Sequence, residues 1–555
     1  MKKRKLQEMT LREKIGQTAV FRHMLLDEFD DINEVEEYFS NNPYGATWPM
    51  NHPKEVYRAF EKSLGNPDLK GRKDDMYINH INILNKYMTV PTIAAVDAAG
   101  GLAKGNIDGH GELPSFSSLG AANDPDLAYR YGKAIGEDIH SIGFSWLWSP
   151  VVDNGGKFID SRTLSADVNR NKEMLAAFIK GVQSAGVATC AKHFPGADPF
   201  EYRDPHFCTS CYSPSYEEWE RTQMQEFQAC IDAGVDSIMV GHSTFKAVDD
   251  TVVNGNVLPC TLSYKVITEL IKGKMGFEGV VFTDDTDMKG LTAIYPYKKL
   301  CVELLRAGVD MILGPVSLDY IDIVEEAVLN GDLPESRIDD ACNRVLKLKE
   351  KYGIFDREEI PHPTEEERQR ILDNMSNVAK DVAKKGMTLV RNNLSLIPVK
   401  KEDIKNVKVV YIGYSDRCEE NLKYLKEEFI RHGANCDVQV GFSEEDNLTL
   451  KDYDLIVYAT YIGFHAPAGG PFFFGDKCFM MRLIMTECTE KSIGVSFGSP
   501  DIFFNYFTAA NTYSNCYSVN KETMEAFVKA LYGEVSFTDY NPFPLNPITY
   551  TNDVY

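Results

Sequence analysis

The segment at residues 191–206, AKHFPGADPFEYRDPH, contains several side chains that can bind or transfer protons. Lys192 and His193 are adjacent, a Pro-Gly turn follows them, and Asp204 stands two positions before His206. A carboxylate at that spacing can fix the tautomer of an imidazole and leave its other nitrogen available for proton transfer. Because a lone Asp-x-His pair is also common in solvated loops, the interpretation depends on the whole combination. We interpret the segment as an active-site loop.

The elements that position these side chains are indicated by the pattern of apolar segments. Residues 186–190, GVATC, predict a buried parallel strand with Lys192 and His193 at its carboxyl end. Eight such apolar segments stand at 16–21, 45–48, 92–96, 144–150, 187–192, 236–241, 279–283 and 309–313. Amphipathic segments lie between them, at 127–142, 172–185, 216–233, 263–274 and 297–307. The alternation predicts a (β/α)8 TIM-like barrel over residues 1–356, with an open doubly wound sheet as the alternative.

A change in composition after Asp356 indicates a second domain. The charged, Pro-containing segment there leads into a long amphipathic stretch, and we predict a linker helix over 357–396. The segments VKVVYIGY, DLIVYATYI and KSIGVSFGS then predict buried strands, and 419–431 and 521–532 predict helices. The sequence therefore predicts a smaller C-terminal α/β sandwich domain over 397–555.

Polar residues follow several of the predicted barrel strands and should meet at one mouth. They are Asp97, Arg162, Lys192, His193, His242, Asp284, Asp285 and Asp287. A mouth with both cations and carboxylates suits a neutral, hydroxyl-rich ligand. Side chains alternate along a strand, so Asp284 and Asp285 cannot both face the mouth if the strand continues through them. We expect one of the two to be buried support.

Two segments could instead hold a metal. The acids of DDTD, 284–287, could bind a hard cation, and HFCTSC, 206–211, has zinc-like spacing. The first lacks a second acidic cluster and the second lacks further ligands. We therefore predict neither a metal nor a cofactor.

Charge and cysteine content bear on partners and location. The formal net charge of −23 makes nucleic acid and an anionic membrane surface unfavourable partners. The start of the chain shows no apolar signal region, and no apolar run is long enough to cross a bilayer. Twelve scattered cysteines favour free thiols in a reducing compartment, so a cytoplasmic location is expected. Monomer and homodimer both remain open.

The motifs taken together resemble glycoside hydrolase family 3, and within it the bacterial β-N-acetylglucosaminidases. The first domain carries MTLREKIGQ (9–17), VDAAGG (96–101), WSPVVD (148–153), SRTLSAD (161–167), KHFPG (192–196), GFEGVVFTDDTDM (276–288) and AGVDMIL (307–313). The second carries GMTLVRN (386–392), SFGSP (496–500) and AFVKALYGE (526–534). The ordered set covers nearly the whole chain and is more specific than any single motif.

This resemblance implies a retaining exo-glycosidase that releases terminal β-linked N-acetylglucosamine. Asp284 is implied as the nucleophile that forms a glycosyl-enzyme. His206 is implied as the acid/base, oriented by Asp204, and a neutral imidazole avoids the charge repulsion between two carboxylates. The sugar-binding positions implied by the resemblance are Asp97, Arg162, Lys192 and His193, and Met288 is implied to line the pocket.

The sequence departs from the family pattern at several positions. Ala99 stands where the family has Glu, the arginine that follows is absent, and Ala197-Asp198 replace His-Gly. Pro205 separates Asp204 from His206 and restricts the geometry of the loop. These departures keep alternatives open: a β-glucosidase or β-xylosidase, an N-acetylglucosaminide phosphorylase, and an inactive sugar-binding protein.

Overall fold

The computed structural model describes residues 4–49, 73–101, 110–153, 160–201, 203–357, 359–463 and 472–543. Each of the eight apolar segments of the first part overlaps a parallel strand. In chain order the strands are β1 (Ala19–Arg22), β2 (Ala46–Trp48), β3 (Ile93–Val96), β4 (Trp146–Leu147), β5 (Cys190–Phe194), β6 (Ser237–Val240), β7 (Val252–Val253), β8 (Asn256–Val257), β9 (Val280–Thr283) and β10 (Ile312–Leu313). Strands β7 and β8 form a short antiparallel hairpin outside the parallel sheets.

The parallel strands form two sheets, with the orders β10-β1-β2-β3-β4 and β5-β6-β9. Their residues are almost all buried, as expected for strands covered on both faces. Parallel bridges connect the sheet edges, since Trp146 pairs with Ala188 just before β5 and Phe282 pairs with Met311 just before β10. The first part is therefore an α/β unit built on parallel sheets, with the carboxyl ends of its strands at one edge.

Helices lie between these strands and cover the sheets. The α-helices are Leu11–Gly16, Ile32–Asn41, Lys73–Tyr87, Phe116–Ala122, Pro125–Ser141, Val168–Ser184, Tyr216–Arg221, Gln223–Asp232, Lys289–Thr292, Tyr297–Ala307, Tyr320–Leu329 and Glu335–Lys351, and Lys265–Lys274 is a π-helix. Capping side chains fix several starts: Asp124 and Asp167 each accept two backbone N–H groups of the first turn. Within the described ranges, no helix is both long and apolar enough to cross a bilayer.

Several boundaries differ from the expectations, and two of these differences have a local cause. Gly16 ends a helix rather than starting a strand, because the capping box of Thr10 and Glu13 begins a helix at Leu11. The segment 216–233 contains two helices rather than one, and the chain breaks at Thr222, whose ψ of −98° is not helical. The first difference places Arg22 on the strand, at its last position.

The second part contains one mixed six-stranded sheet with the order β11-β16-β15-β14-β12-β13. Its strands are β11 (Thr388–Asn392), β12 (Asn406–Gly413), β13 (Asn435–Val440), β14 (Leu455–Tyr461), β15 (Ser492–Ser496) and β16 (Thr512–Asn515). Its helices are Asp416–Arg431, Glu444–Asn447, Asp476–Leu483, Lys521–Leu531 and the π-helix Phe503–Phe507. One apolar cluster includes Phe429 and Phe527, and a second includes Phe442 and Phe503, so the sheet has helices packed on both faces.

The segment 357–396 is not a linker helix throughout. It contains the helix Glu365–Lys385, but β11 follows and pairs antiparallel with β16. The second sheet therefore begins before residue 397, while the outer limits of the two domains stay predictions. Contacts between the two parts include the N–H of Ser115, which donates to Ser518 Oγ at 2.6 Å.

A buried lysine joins several segments at the amino-terminal ends of the parallel strands. Lys349, on the helix Glu335–Lys351, donates from Nζ to Gln17 Oε1 at 2.5 Å and to the carbonyl of Pro91 at 2.6 Å. Burial lowers the pKa of Lys349 to about 7, although nearby Cys342 raises it. The contacts tie the last helix of the first part to the segments that precede β1 and β3.

Candidate active site

Asp97, directly after β3, forms an ion pair with the buried Lys192 in the middle of β5. Lys192 Nζ donates to Asp97 Oδ2 at 2.9 Å, and the lysine is 1% exposed. Burial raises the pKa of Asp97, but the charges of Lys192 and Arg162 outweigh it, so the pKa lies below its usual value. Asp97 is therefore an anionic acceptor, as a ligand rich in hydroxyl groups requires.

His193 is held by a carboxylate that we did not predict as part of the site. Asp153 accepts from His193 Nδ1 at 2.6 Å and from the His193 backbone N–H at 3.0 Å. Strand β5 has a register shift between Lys192 and Phe194, which places His193 at the irregularity. With Nδ1 engaged, Nε2 of His193 points toward Asp284, whose Oδ2 lies 3.9 Å away.

Asp284 follows β9 directly and lines the same pocket as His193. Its Oδ1 accepts the backbone N–H of Asp285 at 2.8 Å. Burial raises the pKa of Asp284, but His193, His242, the Asp285 N–H and Lys192 together hold the pKa below its usual value. The side chain is consequently an anion with one oxygen fixed by the backbone.

The neighbouring acids face a cation instead of the pocket. Arg22, the last residue of β1, forms ion pairs with Asp285 through Nη2 and with Asp287 through Nη1, the latter at 2.9 Å. Burial raises the pKa of Asp285 to about 6 although Arg22 lowers it. The carbonyl of Asp285 accepts from His242 Nε2 at 2.9 Å, so that imidazole carries its proton on Nε2. Asp284 and Asp285 point to different surroundings, although both lie in the turn after β9, which ends at Thr283, and not on the strand itself.

His206 and Asp204 lie on a loop at the rim of the pocket. Asp204 Oδ1 accepts from His206 Nδ1 at 2.6 Å and from the His206 backbone N–H at 2.9 Å. The His206 side chain is 43% exposed. The carbonyl of His206 accepts the backbone N–H of Lys289 at 3.2 Å, so the loop contacts the helix that follows Met288. The loop is therefore attached to the segment that continues from the β9 end.

A second carboxylate fixes the base of this loop. Asp198 is 5% exposed and accepts the backbone N–H groups of Phe200 at 2.7 Å and Ser213 at 2.6 Å. Because Asp198 binds the backbone at both ends of the loop, it keeps the segment that carries His206 close to β5. The departure Ala197-Asp198 thus places a structural carboxylate at the loop base.

One pocket joins most of the predicted residues. The predicted side chains that line it are Arg162, His193, His206, Asp284 and Met288. Three predicted residues stand behind this lining: Asp97, Lys192 and Asp204. Lys192 binds Asp97, and the charges of Arg162 and His193 lower the pKa of Asp97. Asp204 binds His206. Residues that sequence reasoning missed are Asp153 and Arg22, and His242 was noted at a strand end without a role. Arg22 and His242 stand directly after predicted strands, which was the available signal, whereas Asp153 lies beyond the predicted segment 144–150.

The acids do not form a cation site among the described residues. No group of three His, Cys, Asp or Glu side chains with metal-binding geometry occurs in that part of the chain. Asp285 and Asp287 bind the Arg22 guanidinium, and Cys211 Sγ contacts Glu201 Oε2 at 3.5 Å. All twelve cysteines are free thiols.

Residues 11–348 match the sequence model of the glycosyl hydrolase family 3 N terminal domain. The chain belongs to glycosyl hydrolase family 3. A relative from Cellulomonas fimi named beta-N-acetylglucosaminidase/beta-glucosidase is 29% identical over 338 residues, which cover 59% of this chain and 59% of that protein. A beta-hexosaminidase from Tolumonas auensis is 31% identical over 229 residues, covering 40% of this chain and 66% of that protein. The match thus spans less than two thirds of the length of each of these relatives.

Solved structures resemble the whole chain at lower identity. A β-glucoside phosphorylase has a TM-score of 0.82 and 22% identity, and the match covers 99% of this chain and 96% of that one. A family 3 β-N-acetylglucosaminidase from Paenibacillus sp. strain FPU-7 has a TM-score of 0.76 and 22% identity, covering 97% and 99%. At this identity the likeness concerns the fold, and it extends over both the parallel sheets and the mixed sheet.

Proposed function

We propose that the protein is a retaining exo-glycoside hydrolase that releases terminal β-linked N-acetylglucosamine. One observation carries the proposal: Asp284, an anion with one fixed oxygen, lines the same pocket as His206, whose Nδ1 is bonded to Asp204. An anionic nucleophile and a separate proton donor are the two groups that a retaining glycosidase needs.

In the first step, Asp284 attacks the anomeric carbon and the bond to the leaving-group oxygen breaks. Asp284 Oδ1 is held by the Asp285 N–H, so Oδ2 forms the new bond. His206 gives the proton from Nε2 to the departing oxygen, and Asp204 stabilises the imidazole through Nδ1. A glycosyl ester of Asp284 and the released alcohol result.

In the second step, water cleaves the ester. His206 Nε2 takes a proton from the water, and the water oxygen attacks the anomeric carbon. Asp284 leaves as the carboxylate. Two inversions give net retention, so the first product is the β-anomer of the sugar. His206 ends protonated, ready to serve as the acid of the next cycle.

The glycone is held by charged groups behind the nucleophile. In this proposal Asp97 accepts from sugar hydroxyls, and Lys192, Arg162 and His193 donate to them. The names of the relatives, beta-hexosaminidase and beta-N-acetylglucosaminidase/beta-glucosidase, support an N-acetylglucosamine glycone and keep glucose as the second choice. Ala99, in place of the family glutamate, is the sequence feature that favours testing both sugars.

Two finer structural expectations belong with this proposal. We infer that the two parallel sheets are one closed eight-stranded TIM-like barrel, which the bridges Trp146–Ala188 and Phe282–Met311 support. We also infer a cytoplasmic location, which the twelve free thiols support.

The test is a panel of aryl β-glycosides, comparing the N-acetylglucosaminide with the glucoside and the xyloside. We expect the wild type to prefer the N-acetylglucosaminide, Asp284→Asn to abolish turnover, and His206→Ala to lower it about 100-fold or more. His362→Ala is the matched control, because His362 is an exposed imidazole outside the pocket that contacts Asn79 at 3.1 Å. Full turnover by Asp284→Asn would refute the mechanism. Binding of N-acetylglucosamine without turnover of any glycoside would instead indicate an inactive sugar-binding protein.

Phosphorolysis is a second candidate reaction. A neutral imidazole as acid/base does not repel phosphate as a carboxylate does, and Arg162 and Arg203 line the same pocket. The structural likeness to a β-glucoside phosphorylase also favours this comparison. Products are to be analysed with and without inorganic phosphate. Sugar 1-phosphate that replaces the free sugar would establish a phosphorylase, whereas free sugar in both cases supports the hydrolase.

A further inference from the structure

The backbone of Asp285 connects two groups of the pocket. Its N–H donates to Asp284 Oδ1 at 2.8 Å, and its carbonyl accepts from His242 Nε2 at 2.9 Å. The other ring nitrogen of His242 bonds to Thr261 Oγ1 at 3.0 Å, so this imidazole is fixed on both sides. The orientation of one peptide segment thus sets both the fixed oxygen of Asp284 and the position of His242.

The Asp285 side chain is in turn fixed by Arg22 on β1. The guanidinium binds Asp285 and Asp287 with different nitrogens, and Arg22 is 8% exposed. A planar fork that binds two carboxylates restricts their positions more than a single ammonium group does. Arg22 therefore connects the end of β1 to the turn that follows β9.

The strand on the other side leaves little room for the turn to move. Thr286 N–H donates to the carbonyl of Leu313 at 3.2 Å, which ties the turn to β10. A Cβ atom placed on Gly314 would lie 3.2 Å from Asp285 Oδ1 and 3.2 Å from Arg22 Nε. The turn with Asp284 and Asp285 is thus clamped between the ends of β1 and β10.

We propose that Arg22 is a positioning residue for the nucleophile, acting through Asp285, whose backbone N–H holds Asp284 Oδ1. The inference rests on the proposed role of Asp284. Arg22 touches no reacting atom in this account. It determines where the Asp285 peptide lies, and hence whether Asp284 Oδ2 faces the anomeric carbon.

Removal of Arg22 should change the chemical step more than sugar binding. Asp285 and Asp287 would lose their cation and move apart or take up a proton, and the Asp285 N–H would shift with them. A displacement of about 1 Å can cost on the order of 100-fold in rate. The Asp97–Lys192 ion pair joins the residue after β3 to β5 and should keep its geometry.

The experiment compares Arg22→Met with Arg12→Met. Arg12 is the matched control, since it also binds two acids, Asp322 at 2.7 Å and Glu325 at 2.9 Å, but lies outside the pocket. We expect Arg22→Met to lower kcat about 100-fold while calorimetry still shows one N-acetylglucosamine site per chain with an unchanged Kd. Arg22→Lys should recover part of the rate, because it restores the charge without the fork. Arg12→Met should keep the wild-type kcat.

The outcomes separate this inference from the proposed function. If Asp284→Asn is inactive but Arg22→Met has wild-type kcat, only the role of Arg22 is refuted. A calorimetric stoichiometry that falls in step with kcat would also refute it, since it would report lost folded protein. If Asp284→Asn keeps full activity, the proposed function fails and the inference fails with it.

Discussion

Replacement of Asp153 by asparagine tests the electrostatics of the pocket most sharply, because Asp153 contacts His193 and not the substrate in our account. The carboxylate is 1% exposed and accepts both Nδ1 and the backbone N–H of His193. Asparagine has nearly the same shape but no charge. The change therefore leaves the packing in place and weakens the group that orients His193.

The size of the effect follows from the contact that is lost. A hydrogen bond to a charged group contributes about 1.5–3 kcal/mol, which corresponds to about 10- to 150-fold in rate. Burial raises the pKa of Asp284 and His193 is the first of the groups that lower it. When His193 is less well held, its lowering effect on the pKa of Asp284 weakens, so we expect that pKa to rise. Since only ionised Asp284 attacks, activity on acidification should be lost at a higher pH than in the wild type.

The assay is kcat/KM for the best aryl β-glycoside as a function of pH. We expect Asp153→Asn to lower the plateau about 10- to 150-fold and to move the acidic limb upward. Asp138→Asn is the matched control: Asp138 is also 1% exposed and accepts from His110 Nδ1 at 2.7 Å, outside the pocket. A plateau and an acidic limb identical to those of the wild type in Asp153→Asn would refute the reasoning.

Three further predictions follow from other contacts. Lys349 has a lowered pKa, so between about pH 7 and 10.5 the unfolded chain binds more protons and wild-type stability rises with pH. The Tm of the wild type minus the Tm of Lys349→Met should therefore increase with pH over that range. A value that falls with pH would contradict the assignment. Asp198→Ala should lower kcat about 10-fold or more by releasing the His206 loop, whereas Asp198→Asn, which keeps an acceptor, should lose less; equal rates in the two variants would show that the backbone contacts do not matter. Dialysis against EDTA should leave kcat unchanged, because Arg22 binds the acids of the DDTD segment; a loss restored by a divalent cation would overturn that view.

The sequence predicted the strand ends well, because buried parallel strands are short apolar runs and the polar residue that follows each run is visible. Asp284, Lys192 and His193 were found in this way. Arg22 was missed because the first strand was placed at 16–21, while the strand begins only at Ala19 and continues to Arg22. A helix cap at Thr10, not the apolar pattern, decides where that strand begins.

Long-range pairing could not be predicted from the pattern of single segments. Asp153 lies 40 positions before His193, and their contact depends on the register between β4 and β5. Strand β11 was placed in a linker because its partner β16 lies more than a hundred residues later. The local Asp204–His206 bond, in contrast, was visible from spacing, since two residues on one turn need no tertiary contact to meet.

The most direct test of the central claim is mass spectrometry of the trapped glycosyl-enzyme. His206→Ala, mixed with an aryl β-N-acetylglucosaminide whose leaving group needs no protonation, should form the ester quickly and hydrolyse it slowly. We predict a mass increase of one N-acetylglucosaminyl group on the peptide that contains Asp284, and none in the double variant with Asp284→Asn. A label on another residue, or release of the α-anomer without any adduct, would contradict the account.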